Sequence, residues 1–194
     1  MRVLCTCVAA VLLVATSVQA RIERPMGRAP RRSQRSLEPG APKLWQDKQG
    51  AFALERPDGD RWSFQGGVRG PDGGMLPLLA LSEDSGAQLI IQNADGLTNV
   101  RALTRLLAEH LTEEQRVHVE DIERVLARGG EAYAFSFTVA DEARGRVAVV
   151  KAGDHLALVI ASWPLGAPPT VSEDVEEMIG SLGPVPGALP PGAF

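Results

Sequence analysis

Between residues 129 and 163, apolar positions recur in three consecutive segments separated by a polar turn and by Gly153-Asp154. In each segment alternate residues fall on opposite faces, as the two-residue period of a β-strand requires. The pattern predicts a three-stranded antiparallel meander. Because both faces carry apolar residues, the meander needs cover on both sides. In the first strand the two faces are Tyr133, Phe135, Phe137 and Val139 against Ala132, Ala134, Ser136 and Thr138.

Shorter strands are predicted before the first helix. Phe52 and Leu54 precede the turn residues Pro57-Asp58-Gly59, and Trp62 with Phe64 would form the returning strand of a hairpin. The glycine-rich residues 66–74 predict a loop. Residues 76–81 and 87–92 predict two further strands, with Pro77 acceptable only near a strand start or on an edge.

The first helix is predicted to begin at Thr98 or Asn99 and to end around residues 112–115. Its apolar residues form one stripe, at Val100, Leu103, Leu106, Leu107 and Leu111.

A second helix is predicted to open at Ser172, with acidic residues in its first turns, where the helix dipole favours them. Gly183 is the expected C-terminal glycine, and Pro184 prevents continuation of the helix. Its buried stripe is Val175, Met178, Ile179 and Leu182.

Residues 116–128 fit two structures. Val117 and Val119 alternate as in a strand, whereas Ile122, Val125 and Leu126 are also compatible with a helical stripe. We favour a strand that leads into the turn at Gly129-Gly130.

The order of elements is strands, helix, strands, helix. It predicts an α/β (α+β) fold in which a mostly antiparallel sheet is sandwiched by two helices. The second helix would cover the sheet face that the first leaves open. We place this single domain at residues 44–183.

Residues 1–20 have the features of a secretory signal peptide. Arg2 precedes an apolar run, and Val18-Gln19-Ala20 is a small-x-small cleavage site. A membrane anchor is the alternative, but the run of about 13 residues is shorter than the roughly 20 needed to span a bilayer. We therefore expect export to the periplasm or the outside. Cleavage would remove Cys5 and Cys7, leaving no cysteine for disulfides, catalysis or metal binding.

Charge divides the remaining chain. Residues 21–37 carry six arginines and one glutamate, a net of +5, whereas residues 38–194 carry a net of −10. We call residues 21–43 the basic arm and expect it to be disordered, either as a tether to an anionic lipid or polymer or as a solvated linker. The Pro/Gly-rich residues 184–194 are expected to be unstructured. An acidic body disfavours nucleic acid as the partner.

The histidines are weak candidates for chemistry. His110 lies near Glu113 and Glu114 at helical spacing, His118 and Glu120 would share a strand face, and Asp154-His155 occupies a turn. A zinc site needs three or four ligands, which no spacing supplies. Residues 66–74 are not followed by the helix that a phosphate loop requires.

Carboxylates and tryptophans add candidates that we do not assign. Glu120 and Asp121 should point to opposite strand faces, and residues 173–177 resemble a solvated acidic helix cap. The tryptophans Trp45, Trp62 and Trp163 could line a pocket but more often pack in a core. The sequence thus assigns no catalytic, cofactor-binding or metal-binding residue, and no cofactor.

Several turns and aromatic positions form a recognisable set: Phe52, Pro57 and Trp62, the helix at residues 100–111, Gly129-Gly130-Glu131-Ala132-Tyr133, Gly153-Asp154, and Ile179 with Leu182. This set resembles the PsbP-like family, which includes small secreted bacterial proteins. The resemblance covers residues 44–183 and implies the same fold, a binding or assembly role, and no shared catalytic residue.

Together these features predict an exported, non-enzymatic binding or assembly protein whose partner is a protein or an envelope component, with no membrane span after cleavage. The alternative is a carrier of a small apolar ligand held between sheet and helix. An enzyme would require a deep pocket that gathers His118 or His155 with carboxylates. Loops at residues 66–74 and 140–145 are the expected places for a site.

Overall fold

The computed structural model describes residues 43–49, 51–70, 74–94, 99–114 and 116–187. The predicted signal peptide, residues 21–42 of the basic arm and residues 188–194 of the tail lie outside the described residues, so the expectations for them stay predictions.

The described residues form ten strands and two helices. Both helices, α1 (Val100–Thr112) and α2 (Pro169–Ser181), have 13 residues. No helix in the described ranges is both long and apolar enough to cross a bilayer. The strands are β1 (Leu44–Gln46), β2 (Ala53–Glu55), β3 (Ser63–Arg69), β4 (Met75–Ser82), β5 (Ala87–Asn93), β6 (Val117–Val119), β7 (Glu123–Arg124), β8 (Ala132–Val139), β9 (Ala143–Ala152) and β10 (His155–Pro164).

Eight strands form one antiparallel sheet in the order β3-β4-β5-β10-β9-β8-β6, with β7 also paired to β8. The predicted meander is confirmed as β8, β9 and β10 at the centre. Its register places Phe135 opposite Val147, and Val147 opposite Ile160. Large side chains from all three strands therefore lie on one face and small ones on the other, as their alternation predicted.

Helix α1 covers the face that carries the large side chains. Its stripe of Val100, Leu103, Leu107 and Leu111 joins a buried cluster with Phe135, Phe137 and Leu158. Asn99 caps the helix, since its side-chain oxygen accepts a hydrogen bond of 2.8 Å from Ala102 N. Leu106, counted in the predicted stripe, is 40% exposed, so the buried stripe is narrower than predicted.

Helix α2 covers the opposite face, as expected, together with the small β1–β2 sheet. Val171, Val175, Met178 and Ile179 of the helix share a buried cluster with Phe52 and Leu54 of the β2 region and with the alanines of the sheet. The alanines keep this face shallow, which lets a second layer approach closely. The predicted fold, a sheet sandwiched by two helices, is thus confirmed.

A buried aspartate fixes α2 to the start of β3. Asp174 is 5% exposed. Its Oδ1 accepts a hydrogen bond of 2.7 Å from Arg61 Nη2, and its Oδ2 accepts one of 2.8 Å from the indole Nε1 of Trp62. The carboxylate, through this hydrogen bond and its charge, raises the pKa of Arg61 above its ordinary value. We call this group the Asp174 latch.

A buried arginine fixes α2 to the other side of the same face. Arg146 on β9 is 7% exposed. Its Nη2 donates a hydrogen bond of 2.6 Å to Glu123 Oε1 on β7, and its Nη1 donates one of 3.1 Å to Ser136 Oγ. Its Nε lies 2.8 Å from Glu176 Oε1 on α2, an ion-pair contact without hydrogen-bond alignment. We call this group the Arg146 latch.

The predicted first hairpin does not form. β2 pairs with β1, with Trp45 opposite Leu54, and β3 pairs with β4 instead. The turn at residues 57–59 therefore carries the chain from the small sheet to the edge of the large one. Trp45 and Phe52 supply the apolar side of the small sheet, with ring centroids 5.8 Å apart.

The predicted loop at residues 66–74 is strand as far as Arg69, while residues 71–73 lie outside the described ranges. A Cβ at position 66 would lie 3.2 Å from the Trp45 ring, so a larger residue than Gly66 would require the ring to shift. Gly67 has φ +66°, a conformation that favours glycine. These glycines thus allow the edge strand β3 to pass close to the β1–β2 sheet.

The second helix begins earlier than predicted and ends where its C-terminal glycine was expected. It starts at Pro169, and Ser172 lies inside its first turn with its hydroxyl donating to Pro169 O. Leu182 is the extended C-terminal cap, and the predicted C-terminal glycine, Gly183, follows it and pairs with Ala53. Gly183 is small because a Cβ there would lie 2.9 Å from the backbone nitrogen of Gly129.

Candidate functional site

An open groove of about 420 Å³ lies between α1 and the chain that follows β6. We call it the acidic groove and define it by eight lining residues. Its less polar lining comes from Ala108, Thr112, Val119 and Ile122, and its charged residues are Arg105, Glu109, Glu120 and Asp121.

Helical geometry accounts for one wall of the groove. Arg105, Ala108, Glu109 and Thr112 follow the spacing i, i+3, i+4 and i+7, which places them on one side of α1 beside its buried stripe. The Thr112 hydroxyl donates a hydrogen bond of 2.8 Å to the Ala108 carbonyl, so it is occupied within the helix. The wall therefore presents two opposite charges above a small apolar residue.

An irregularity in the edge strand accounts for the other wall. β6 pairs Val119 with Phe137, and β7 pairs Glu123 with Ala134. Four steps on this strand thus match three steps on β8, which means that residues 120–122 contain one extra residue. This is the count of a β-bulge, a feature that re-aims side chains and is enriched at sheet edges and beside functional sites.

The bulge overturns two predictions. Glu120 and Asp121 were expected on opposite faces, yet both line the acidic groove, because strand alternation fails where the extra residue is inserted. His118 and Glu120 were expected on the same face. Glu120 lines the groove, whereas His118 pairs in register with Thr138 and lies outside the groove lining.

The charges of the groove are unbalanced and available. Three carboxylates and one guanidinium give a net of −2 at neutral pH. All four groups are exposed, and none forms an ion pair with another residue in the described part of the chain. An unpaired acidic rim above a partly apolar floor suits a long cationic side chain, whose stem packs while its head group reaches the carboxylates.

The other histidines do not build a site together. His110 lies at the end of α1 with its Nδ1 3.3 Å from Glu113 Oε2. Asp154 and His155 are exposed at the tight β9–β10 turn. Within the described ranges, no three histidine, cysteine, aspartate or glutamate side chains converge as metal ligands would.

The tryptophans have structural contacts. Trp45 packs against Phe52, Trp62 donates to Asp174, and Trp163 is partly buried against the α2-side core. The acidic stretch of α2 is not the uniformly solvated cap that was predicted. Asp174 is buried in its latch and Glu176 contacts Arg146, while Glu173 and Glu177 are exposed.

Sequence reasoning missed both the groove and the two latches. Arg61 and Arg146 were not singled out, because nothing local distinguishes a buried arginine from a surface one. An arginine on an otherwise apolar strand, as in residues 143–152, was the available signal for Arg146. For the groove, the available signal was Ile122. It breaks the alternation set by Val117 and Val119, which would have placed the next apolar residue at position 121.

The architecture defines the chain as a PsbP-like fold, an eight-stranded antiparallel sheet covered by one helix on each face. Two solved structures show this likeness. The Ran-binding protein Mog1p of Saccharomyces cerevisiae matches with 15% identity, a TM-score of 0.51, and coverage of 74% of this chain and 95% of its own. The cyanobacterial PsbP of Synechocystis, CyanoP, matches with 13% identity, a TM-score of 0.50, and coverage of 84% and 100%.

These likenesses concern the fold, because the identities are low. No protein-family profile matches the sequence. No curated protein matches it either. The predicted resemblance to the PsbP-like fold is confirmed at the level of architecture.

Proposed function

We propose that this chain is an exported, non-enzymatic binding protein of the bacterial envelope that holds a basic segment of a partner protein in the acidic groove. The observation that carries the proposal is the groove itself, with three carboxylates that lie around a partly apolar floor and have no ion-pair partner in the described ranges. A Ran-binding protein with the same fold supports a protein as the partner, although that likeness is one of fold alone.

The size of the groove fits one or two side chains of a partner. Small-molecule pockets span about 300–1,000 Å³ and are mostly enclosed. At about 420 Å³ this groove lies within that range, but it is open along α1. An open groove favours an extended segment that passes over it and inserts a lysine or arginine.

The charges favour a protein partner over the apolar carrier. The side chains between the sheet and its covering helices are tightly buried, with Phe135 and Leu158 on one face and Phe52 and Met178 on the other all at 0–1% exposure. Half of the residues that line the groove are charged. A small apolar ligand would leave those charges desolvated without partners.

The groove also supports binding over catalysis. None of the three histidines lines it. Its carboxylates and Arg105 are exposed side chains of the kind that recognise charge, and no nucleophile is held beside a base there. Export remains part of the proposal and rests on the features of residues 1–20.

Site-specific photo-crosslinking in the source cells tests this function. A photoreactive residue replacing Thr112, in the groove, should give a discrete protein adduct in the envelope fraction. The same residue replacing Glu83, in the distant β4–β5 turn, should not. Neutralising the groove with Glu109→Gln, Glu120→Gln and Asp121→Asn should reduce the adduct about tenfold, since three exposed ion pairs are worth roughly 0.2–1 kcal/mol each.

A matched control removes the same charge elsewhere. Glu83→Gln, Asp84→Asn and Glu177→Gln alter three exposed carboxylates outside the groove and should leave the adduct unchanged. Equal adducts from the groove-neutral and control chains would contradict the proposal. So would an adduct confined to the cytoplasmic fraction.

A further inference from the structure

We propose that the arginine-rich part of the basic arm, residues 21–37, occupies the acidic groove of its own molecule until a partner's basic segment displaces it. This inference rests on the proposed function, because it assumes that the groove binds cationic segments. It adds an occupant from the same chain. Competition between this occupant and a partner's basic segment would then determine which partners can bind.

The arm and the acidic groove carry opposite charges. The arm carries six arginines and one glutamate in 17 residues, whereas residues 38–194 carry a net of −10. The groove carries three of those carboxylates without ion-pair partners in the described residues. A guanidinium binds a carboxylate through two parallel hydrogen bonds, so each arginine of the arm is a candidate ligand for the rim.

Exposed carboxylates such as Glu83 and Glu177 also lie elsewhere on the described surface, but the acidic groove gathers three of them around one concave floor. Three arginines of the described residues already pair with carboxylates, in Arg61–Asp174, Arg116–Glu142 and Arg146–Glu123. Arg105 is the one cation in the groove lining, against three acids. A cation supplied from outside the described ranges would complete the charge balance there.

The arm must also reach the groove, and chain connectivity sets an upper limit to the distance between them. Lys43 precedes Gln46, which pairs with Ala53. The Ala53 carbonyl accepts a hydrogen bond of 3.0 Å from Arg128 Nη2. Because Arg128 lies six residues after Ile122 of the groove, extended-chain lengths place Lys43 at most about 50 Å from it.

The arm is long enough to close that distance. Arg21, Arg24 and Arg28 precede Lys43 by 22, 19 and 15 residues. At about 3.4 Å per residue, these spans reach roughly 50–75 Å when extended. The connection is therefore geometrically allowed even at the upper bound, and it can place at least one arginine between the acidic walls.

A tethered segment competes at high effective concentration. Short flexible linkers give effective concentrations in the millimolar range. Even a weak, sub-millimolar interaction in cis would then fill much of the groove. Only a fraction of the molecules would then have an open groove. The partner's apparent Kd rises, because it equals the intrinsic Kd divided by that open fraction.

Fluorescence anisotropy with the arm itself as probe tests the inference. The probe is a labelled peptide with the sequence of residues 21–37, and the proteins are chains that begin at Arg21. An arm-neutral chain, with all six arginines of residues 21–37 changed to glutamine, should bind the probe roughly two- to tenfold more tightly than the unaltered chain at low salt. The groove-neutral chain should bind it weakly whether or not the arm is charged.

The outcomes separate the two proposals. Equal probe affinity of the unaltered and arm-neutral chains would overturn self-docking while leaving the groove as a site for basic segments. No binding to any chain would overturn both. The difference should vanish near 1 M salt, where screening acts within about 3 Å, and its persistence there would argue against an electrostatic occupant.

A spin label distinguishes docking in cis from docking in trans. The chain after residue 20 contains no cysteine, so Met26→Cys provides a single labelling site among the arginines. The label should broaden the amide signals of Glu120 and Asp121 in the unaltered chain and not in the groove-neutral chain. Broadening that disappears on dilution with unlabelled protein would assign the groove to the arm of a second copy and overturn self-docking.

Discussion

The two faces of the sheet are closed by different means. On the α2 face, two buried charged groups, the Asp174 latch and the Arg146 latch, tie the helix to β3 on one side and to β7 and β9 on the other. On the α1 face, the helix is held mainly by an apolar cluster around Phe135, Phe137 and Leu111. The four charged side chains that line the acidic groove beside α1 have no ion-pair partner among the residues that the structure describes.

This difference separates the scaffold from the candidate site. Buried charges are costly unless paired, so they fix one arrangement of α2 on the sheet. Exposed charges without ion-pair partners among the described residues cost little at the groove. The α2 face is thus committed to the fold, while the edge of the α1 face carries the candidate site.

The largest expected effect tests the apolar attachment of α1. Leu111 is 1% exposed, and Leu111→Ala should lower the free energy of unfolding by about 2–5 kcal/mol through lost burial and a cavity. Leu106→Ala on the same helix, where Leu106 is 40% exposed, should cost much less. Urea denaturation of both variants measures the difference. Similar costs would mean that α1 is not anchored by its buried stripe.

A smaller effect tests the Asp174 latch. Asp174→Ala should cost about 2–3 kcal/mol, because the Trp62 indole loses its buried acceptor and Arg61 loses its partner. Asp174→Asn keeps an oxygen for the indole and should retain part of the stability. Chemical denaturation, with the indole N–H signal of Trp62 as a local probe, checks the order. An alanine variant as stable as the parent would show that the latch does not hold α2.

The smallest effect concerns the turn between β8 and β9, at residues 140–142. Ala140 has φ +42°, and its N–H donates to the Arg116 carbonyl before β6 begins. Ala140→Gly should relieve this left-handed strain and stabilise the fold by up to about 1 kcal/mol. Ala143→Gly, inside β9, should destabilise it by roughly 0.5–1 kcal/mol instead. Thermal denaturation of the pair distinguishes the two, and destabilisation by both would argue against strain at Ala140.

The core of the fold was predictable because its signals are local and periodic. Alternation in β8, β9 and β10 separated the large side chains from the small ones, and the structure places the large ones on the α1 face. The predicted stripe of α1 was correct apart from Leu106. The PsbP-like resemblance also depended on local turns, such as Gly129-Gly130 and Gly153-Asp154. Such features can be recognised in the sequence without knowledge of the tertiary neighbours.

The groove and the latches were not predictable in the same way. Arg146 reads as one charge on an apolar strand, and only the packing of β7 and α2 supplies Glu123 and Glu176. The Glu120–Asp121 pair was misassigned because alternation assumes an unbroken strand. The pairing of β2 with β1 was missed because the turn at residues 57–59 is compatible with a hairpin that tertiary contacts exclude.

The backbone pair between Ala53 and Gly183 joins positions 130 residues apart. Two hydrogen bonds close it, and Gly129 N donates to Leu182 O beside it. Closing a loop of this length costs entropy that packing elsewhere in the fold must offset. The β1–β2 sheet at the start of the domain therefore depends on the end of α2, and we expect the contacts between them to form late in folding.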